Sequence, residues 1–280
     1  SRPMDSVQRD GFTDSRAPGD PLLGPDDPPP YEIVNPRGPT PVVFLCDHAS
    51  NRVPEGLYNL GLTDEQLSLH IAWDIGAGEL TRRLARHFDA PAVLSGYSRL
   101  VVDCNRHLTD LGAFLPESDG IAVPGNTDLS EQDKADRADA CYWPYHEACA
   151  AVIEGVETRG KVPPIIMMHS FTPVMGPGTR PWEIGVLWDN TGDARMALPL
   201  LDFLRNRGDL CVGDNEPYSG ASPYGFSMPN HAARAGRANI QIEIRQDQLG
   251  DEAGIARWTD IMAEAFGHVL ADPKLFRRGN

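Results

Sequence analysis

Cysteine is scarce and unpaired by pattern in this chain. Five cysteines, an odd number with no Cys-x-x-Cys spacing, stand among 280 residues. That argues against a disulfide framework and against a cysteine-built zinc module. Cys141 and Cys149 are eight apart on an expected helix, too far along its axis to bond, so reduced structural thiols are expected. Positive charge is also short: 25 Lys and Arg face 40 Asp and Glu, a net charge of −15. A surface this acidic repels nucleic acid and anionic membrane, so neither is expected as a partner. No apolar run approaches the roughly 18 residues of a membrane span, and no basic-then-apolar leader follows Ser1. Internal repeats are lacking. A soluble, cytoplasmic chain is the expectation.

At 41% apolar residues the sequence can fill one sizeable core. Residues 1–30, rich in Pro, Gly and Asp, read as a flexible segment or a strap over the domain. Pro28-Pro29-Pro30-Tyr31 reads as a stiff lead-in rather than a polyproline ligand. Val42–Cys46 is a continuous apolar run, as in a strand buried on both faces. Residues 63–88 show helical spacing (Leu67, Ile71, Ile75, Leu80, Leu84), with Thr63 as a cap. Strands are expected at Ala92–Leu94, Leu100–Val102, Ile165–Met168, Gly185–Asp189 and Ile240–Ile244. Residues 110–129 read as loop. Further helices are expected over Ser130–Thr158, with Pro144 kinking or splitting it, over Asp193–Arg207 and over Gly254–Leu270. Strands alternating with helices predict a single α/β domain over 31–280, with a central, mainly parallel or mixed sheet flanked by helices.

The polar residues that end these runs carry the chemistry. His48 and His169 each follow an apolar strand, where ligands collect in open α/β sheets. Two such histidines suit a catalytic zinc, which takes three protein ligands and keeps one position open. Asp74 is the expected third ligand, with His70 and Glu55 as alternatives. A histidine after a strand can equally be a hydrogen-bonded structural residue. Glu243 lies among β-branched neighbours in a strand expected to be buried, a costly place for an acid unless it is paired or functional. It reads either as half of a buried ion pair or as the general base. Arg99 suits an oxyanion. Arg106, next to Asn105, suits bidentate capture of a carboxylate. Ser170 and Arg245, beside His169 and Glu243, are further expected substrate contacts. Asp47 and Asp103 are candidates to orient a histidine or arginine. His146 and His231 are left between site and scaffold roles, as is Asn215–Ser219.

Ten ordered segments then carry a resemblance. They are Asp-His-Ala-Ser-Asn (47–51), Leu-Gly-Leu (60–62), His-Ile-Ala-Trp-Asp-Ile-Gly-Ala (70–77), Tyr-Ser-Arg-Leu-Val-Val-Asp-Cys-Asn-Arg (97–106) and Pro-Gly-Asn (124–126). Pro-Tyr-His (144–146), His-Ser-Phe-Thr-Pro (169–173), Arg-Pro-Trp (180–182), Asn-Glu-Pro-Tyr-Ser (215–219) and Glu-Ile-Arg-Gln-Asp (243–247) complete them. From about Tyr31 to Leu270 the chain resembles the N-formylglutamate amidohydrolase family. The resemblance implies a phosphorylase/hydrolase-like α/β fold shared with zinc carboxypeptidases and aspartoacylases. It also implies Zn2+-dependent cleavage of N-formyl-L-glutamate, or a related small anionic N-acyl amino acid, in one route of histidine degradation. Asn105-Arg106 is similar to the substrate-carboxylate dipeptide of those relatives, Arg99 to their carbonyl-polarising arginine, Glu243 to their catalytic glutamate, and His48 and His169 to their ligand histidines. The departure is at position 51, an Asn where the relatives carry a Glu ligand. Rival expectations are hydrolysis of another N-acyl amino acid or small ester, and a non-catalytic protein binding such a molecule.

Overall fold

Seven strands form one sheet: β1 (Tyr31–Val34), β2 (Val43–Cys46), β3 (Ala92–Ser95), β4 (Ile165–Phe171), β5 (Ile184–Leu187), β6 (Val212–Asp214) and β7 (Asn239–Arg245). The order across it is β6-β5-β7-β4-β2-β3-β1. The pairings β2–β3, β2–β4, β4–β7 and β5–β6 are parallel, while β5–β7 and β1–β3 are antiparallel. The mixed, mainly parallel sheet matches the expectation. This computed structural model describes residues 19–279, together with the backbone of Val7–Arg9 and Phe12–Asp14, a short antiparallel hairpin.

The central strands are apolar because both their faces are covered. Phe44, Ile166, Met168, Ile240, Ile242 and Ile244 face one core. Into it pack α2 (Ala77–Phe88) through Leu80 and Leu84, α5 (Ala197–Asn206) through Leu200 and Leu204, and α7 (Glu252–Val269) through Trp258 and Phe266. Val43, Leu45, Val93, Ile165 and Met167 face the other core, against Tyr145, Cys149 and Ile153 of α4 (Trp143–Glu157). The alternation of period 2 therefore decides which face each strand residue serves. His169 and Glu243 continue the set that faces the α4 side.

Several expectations fail in detail. Residues 63–88 are two helices, α1 (Asp64–Leu67), capped by Thr63 and Gln66 in a reciprocal pair, and α2, with turns between them. Leu100–Val102 is buried turn, not strand: its apolar residues fill the α4-side core without a ladder partner. Residues 110–129 contain a small hairpin, Glu117–Ser118 with Ile121–Ala122. The helix expected over Ser130–Thr158 runs as α3 (Glu131–Arg137), a widened π turn over Ala138–Tyr142, and α4. Pro144 explains the widening, since it offers no N–H to a carbonyl one turn back and its ring needs room there. Ser130 caps α3 as expected. Residues 19–30 lie against the domain: Leu22 is buried, and the Pro28 carbonyl accepts a bond from the Tyr97 hydroxyl. The rest of the expected flexible segment, apart from the hairpin backbone, lies outside the described residues. All five cysteines are free thiols. Among the described residues no helix is long and apolar enough to cross a membrane.

Candidate active site

The strand order reverses at β2. The chain leaves β2 for β3 on one side and later enters β4 on the other. At such a switch point the outgoing connections part and leave a crevice at the carboxyl ends of the strands. His48 lies two residues beyond β2. The turn before α2 folds over it, with the Asp74 N–H donating to the His48 carbonyl at 2.9 Å. Arg99, Asp103, Asn105 and Arg106 come from the irregular segment after β3. His169 and Ser170 end β4, and Glu243 stands opposite His169 in the β4–β7 register. The cavity that these residues line, Asp103 excepted, measures about 410 Å³.

His48, Asp74 and His169 are all buried, and one donor atom from each lies within 4.8 Å of the others. Asp74 Oδ2 is 3.4 Å from His48 Nδ1 and 2.8 Å from His169 Nδ1. These spacings bracket the roughly 3.3 Å between donors of a tetrahedral shell with bonds near 2.0–2.1 Å. The outer nitrogens face carboxylates. His48 Nε2 is 2.6 Å from Asp103 Oδ1, and His169 Nε2 looks at Asp47 Oδ2 from 3.5 Å. That last approach is too long for a sound bond, and both atoms lack a hydrogen-bond partner. A carboxylate behind each ring, with Nδ1 turned inward, is how a protein fixes the tautomer of a metal-ligating histidine. Two imidazoles and one carboxylate suit a divalent transition metal. The residues present fit such an ion.

Electrostatics agree with this packing of charge. Burial pushes the Asp74 carboxyl up, but His48 and His169 outweigh it and hold the carboxyl well down. Asp47 and Asp103 are likewise held low against burial, by His169 and by His48 with Arg99 respectively. Burial lowers both histidines, yet the facing carboxylates raise each above its ordinary value. Glu243 behaves differently. Burial is the main cause that lifts it to about 7, only partly offset by His169, while the Gln241 amide donates to its Oε1 at 3.0 Å.

The anion-reading residues divide. Arg99 lines the cavity, but its Nη2 donates to Asp103 Oδ2 at 2.9 Å and its Nη1 lies 3.8 Å from Asp74. Arg106 also lines it and has no carboxylate partner among the described residues; its Nη1 donates to the Asn105 carbonyl at 2.8 Å. Asn105 spends its side-chain oxygen on the N–H groups of Phe226 and Ser227, at 2.9 and 3.1 Å, which leaves the amide N–H groups for a ligand. Ser170 lines the cavity while its hydroxyl donates to the Ile75 carbonyl. Arg245 does not join them. It pairs with Asp247 at 2.7 Å and bonds the carbonyls of Arg180 and Pro181, off the cavity, so its expected role as a substrate contact has no support in the geometry.

The alternatives to Asp74 are set apart from the cluster. His70 pairs with Asp119 at 2.8 Å on the cavity wall. Glu55 begins a 3-10 turn on the exposed surface. Asn51 donates to the Leu67 carbonyl and braces α1. Tyr218 and Ser219 line the cavity, while Asn215 anchors their loop through bonds from Trp188 and Gly220. His146 and His231 lie behind the cavity wall rather than on it. Sequence reasoning missed Ser227, whose hydroxyl joins that of Tyr145 on Asp47 Oδ1, at 2.8 and 2.7 Å. Nothing local marks it. It also missed Gln241, which strand parity with Glu243 could have shown.

The sequence profile described as N-formylglutamate amidohydrolase matches residues 40–249, most of the chain and every cavity residue named above. Among solved structures, the gene product Atu2144 from Agrobacterium tumefaciens is 33% identical, with a TM-score of 0.84 over 89% of this chain and 98% of that one. The N-formylglutamate amidohydrolase from Ralstonia eutropha JMP134 shares the fold at 20% identity and a TM-score of 0.60, over 84% and 95% of the two chains. No curated protein matches the sequence. The switch-point crevice and its ordered motifs thus sit inside a matched profile that spans the domain, and the chain belongs to the N-formylglutamate amidohydrolase family.

Proposed function

We propose that this chain is a zinc-dependent amidohydrolase that cleaves N-formyl-L-glutamate, or a closely related small N-acyl amino acid, to the free acid and amino acid. The observation that carries the reading is the joint placement in one cavity of the His48–Asp74–His169 donors, the raised Glu243 carboxyl and Arg106, which has no carboxylate partner among the described residues. Zn2+ bound to the three donors would polarise the scissile carbonyl and acidify a water. Glu243 takes the proton from the attacking water and returns it to the departing amine; a carboxyl near 7 is well matched to both transfers at neutral pH. Arg99, held by Asp103, faces the charge that develops on the carbonyl oxygen. Arg106 and the Asn105 amide read the substrate α-carboxylate, the one common to every N-acyl amino acid. A cytoplasmic role in histidine degradation belongs to the same reading.

The experiment is formate release from N-formyl-L-glutamate by zinc-loaded protein, beside chelated and zinc-restored samples. Release that stops on chelation and returns with zinc supports reaction and cofactor together. A second reading rests on the cavity, whose walls include Leu187, Tyr218, Tyr224 and Met228 and which exceeds the needs of a formyl group. It assigns larger N-acyl amino acids as substrates. Zinc binding without formate release, with turnover of an N-acetyl or longer analogue, favours it.

A further inference from the structure

Behind the cavity wall, two buried histidines stack 5.1 Å apart with 22° between their planes. His146 Nδ1 is 2.8 Å from His231 Nε2, and His146 Nε2 is 2.8 Å from the carbonyl of Cys104. The carbonyl settles the protons. It can only accept, so His146 Nε2 carries the hydrogen. Neutral His146 Nδ1 is then the acceptor, and His231 Nε2 must be the donor. One directed chain of bonds therefore runs from α6 (Ser227–His231) through α4 to the residue before Asn105.

The other bonds at these elements converge on Cys104, Asn105 and Arg106. Tyr142, at the end of the π turn, donates its hydroxyl to the Arg106 carbonyl at 2.9 Å. Phe226 and Ser227, which open α6, give their N–H groups to Asn105 Oδ1. The Phe226 ring packs on His146 at 4.6 Å, on Tyr142 at 5.4 Å and on His107 at 5.3 Å. The far end of α6 is tied down by Arg237, which donates to the His231 carbonyl and pairs with Glu157 of α4. The widened turn before Pro144 thus puts Tyr142 and His146 in reach of the Cys104–Arg106 backbone.

We propose that His231 and His146 are positioning residues that set the Asn105–Arg106 carboxylate reader against the cavity. The pair locks α6 to α4 and both to the Cys104 carbonyl. Asn105 is thereby held with its amide N–H groups free, and Arg106 with its guanidinium on the cavity wall. Neither histidine touches substrate. The proposal rests on the hydrolase reading above for the identity of the ligand.

The test compares the whole zinc-loaded protein with His231→Gln and His231→Leu. Gln keeps an N–H donor near the Nε2 position and Leu does not. His146→Gln is a third variant; it keeps a donor near the Nε2 position for Cys104 but has no acceptor at the Nδ1 position that faces His231. Formate release is followed from N-formyl-L-glutamate and from its α-carboxamide, which lacks the carboxylate that Arg106 would read. The expected result for His231→Leu and His146→Gln is a KM about tenfold higher for the acid, equivalent to ~1.4 kcal/mol, with the KM for the amide little changed. His231→Gln recovers the wild-type preference. Equal KM changes for acid and amide, or a lower Tm with the preference intact, overturn the proposal and leave a scaffold role. If the wild type releases formate from neither, the N-formyl substrate fails by itself. Calorimetric binding of L-glutamate against L-isoglutamine then reads the clamp without turnover. Preference for the acid that is lost in His231→Leu and restored in His231→Gln supports the proposal; no such preference, or one unmoved by substitution, overturns it.

Discussion

Glu243 lies directly across from His169 in the register of two parallel strands. Neighbouring strands are about 4.8 Å apart, and residues in register project to the same face. The sheet itself therefore holds the buried carboxyl beside the donor cluster, without relying on a loop. Replacing Glu243 with Gln keeps the shape and removes the proton acceptor. Turnover of N-formyl-L-glutamate should fall by about 10²–10⁴-fold, while zinc content, measured by mass spectrometry, stays at the wild-type level. A near-normal rate would remove Glu243 from the reaction.

Arg106→Ala should act on binding. The guanidinium has no carboxylate partner among the described residues, so its removal leaves no buried anion stranded and little folding energy at stake. KM for carboxylate-bearing substrates should rise by about 10–100-fold, the loss of one charge-assisted pair worth roughly 1.5–3 kcal/mol. An unchanged ratio between acid and α-carboxamide substrates would show that another group reads the carboxylate.

Asp74→Asn tests the cluster itself. Asp74 Oδ2 approaches both histidines and accepts a bond from the Ser170 N–H at 3.3 Å. Its neutral amide would offer the metal a weaker donor and remove the charge that steadies two rings. Asp103→Asn, one shell further out, should cost about 10–100-fold in zinc affinity, and Asp74→Asn more. Competition with a chelator measures both. The reverse order would make Asp74 an orienting residue and not a ligand.

Much of the site was legible because an apolar strand that ends in His or Asp marks a crevice, and because strand parity sorts faces. His48, His169 and Glu243 follow from that logic, while Asp74 is one of three candidates in the sequence and only the fold sets it beside the two histidines. What the residues hid is set by tertiary contacts. Arg245 has the parity of Glu243, yet β7 ends there, and Asp247 two residues on captures the guanidinium. Leu100–Val102 has the composition of a strand but no neighbour to pair with. Tyr31–Val34 and Val212–Asp214 are sheet edges, too short and too exposed to carry a pattern. Ser227 reaches Asp47 across 180 residues of sequence. No local signal encodes such a contact.

Gly220→Ala should disturb the cavity from its rim. A Cβ there would meet the N, Cα and C atoms of Trp188 at 2.3–2.5 Å, and backbone cannot yield as a side chain can. Asn215 ties the same loop to Trp188 through its side-chain oxygen. The added methyl must push the loop away and carry Tyr218 and Ser219 off the cavity wall. We expect a stability loss of about 1–3 kcal/mol, read by denaturant melts, together with a raised KM. A variant with native KM and native stability would mean that the loop moves freely at no cost.

Acid should weaken the fold through His231. Burial first, then the neighbouring His146 and Arg237, lowers its imidazole from 6.5 to about 4. His146 is lowered too, mainly by burial. A histidine depressed on folding binds fewer protons folded than unfolded between these two values. Its contribution is therefore fully present above about pH 6.5 and is lost as pH falls toward 4. At about 1.4 kcal/mol per unit, the His231 share is on the order of 3 kcal/mol. Asp47 and the Glu157–Arg237 pair are the other charges close to these rings. Asp47 opposes the shift, and the lowered value already includes it. Glu243, raised to about 7, works in the opposite direction over the same interval, so urea melts at pH 7 and pH 5 are read as the difference between the wild type and His231→Gln. His231→Gln, with no imidazole at that position, should lose visibly less over the same interval. Parallel losses in the two proteins would remove His231 as a source of acid sensitivity between pH 7 and pH 5, an interval in which the low-held carboxylates of the donor cluster stay ionised in the folded and the unfolded chain alike.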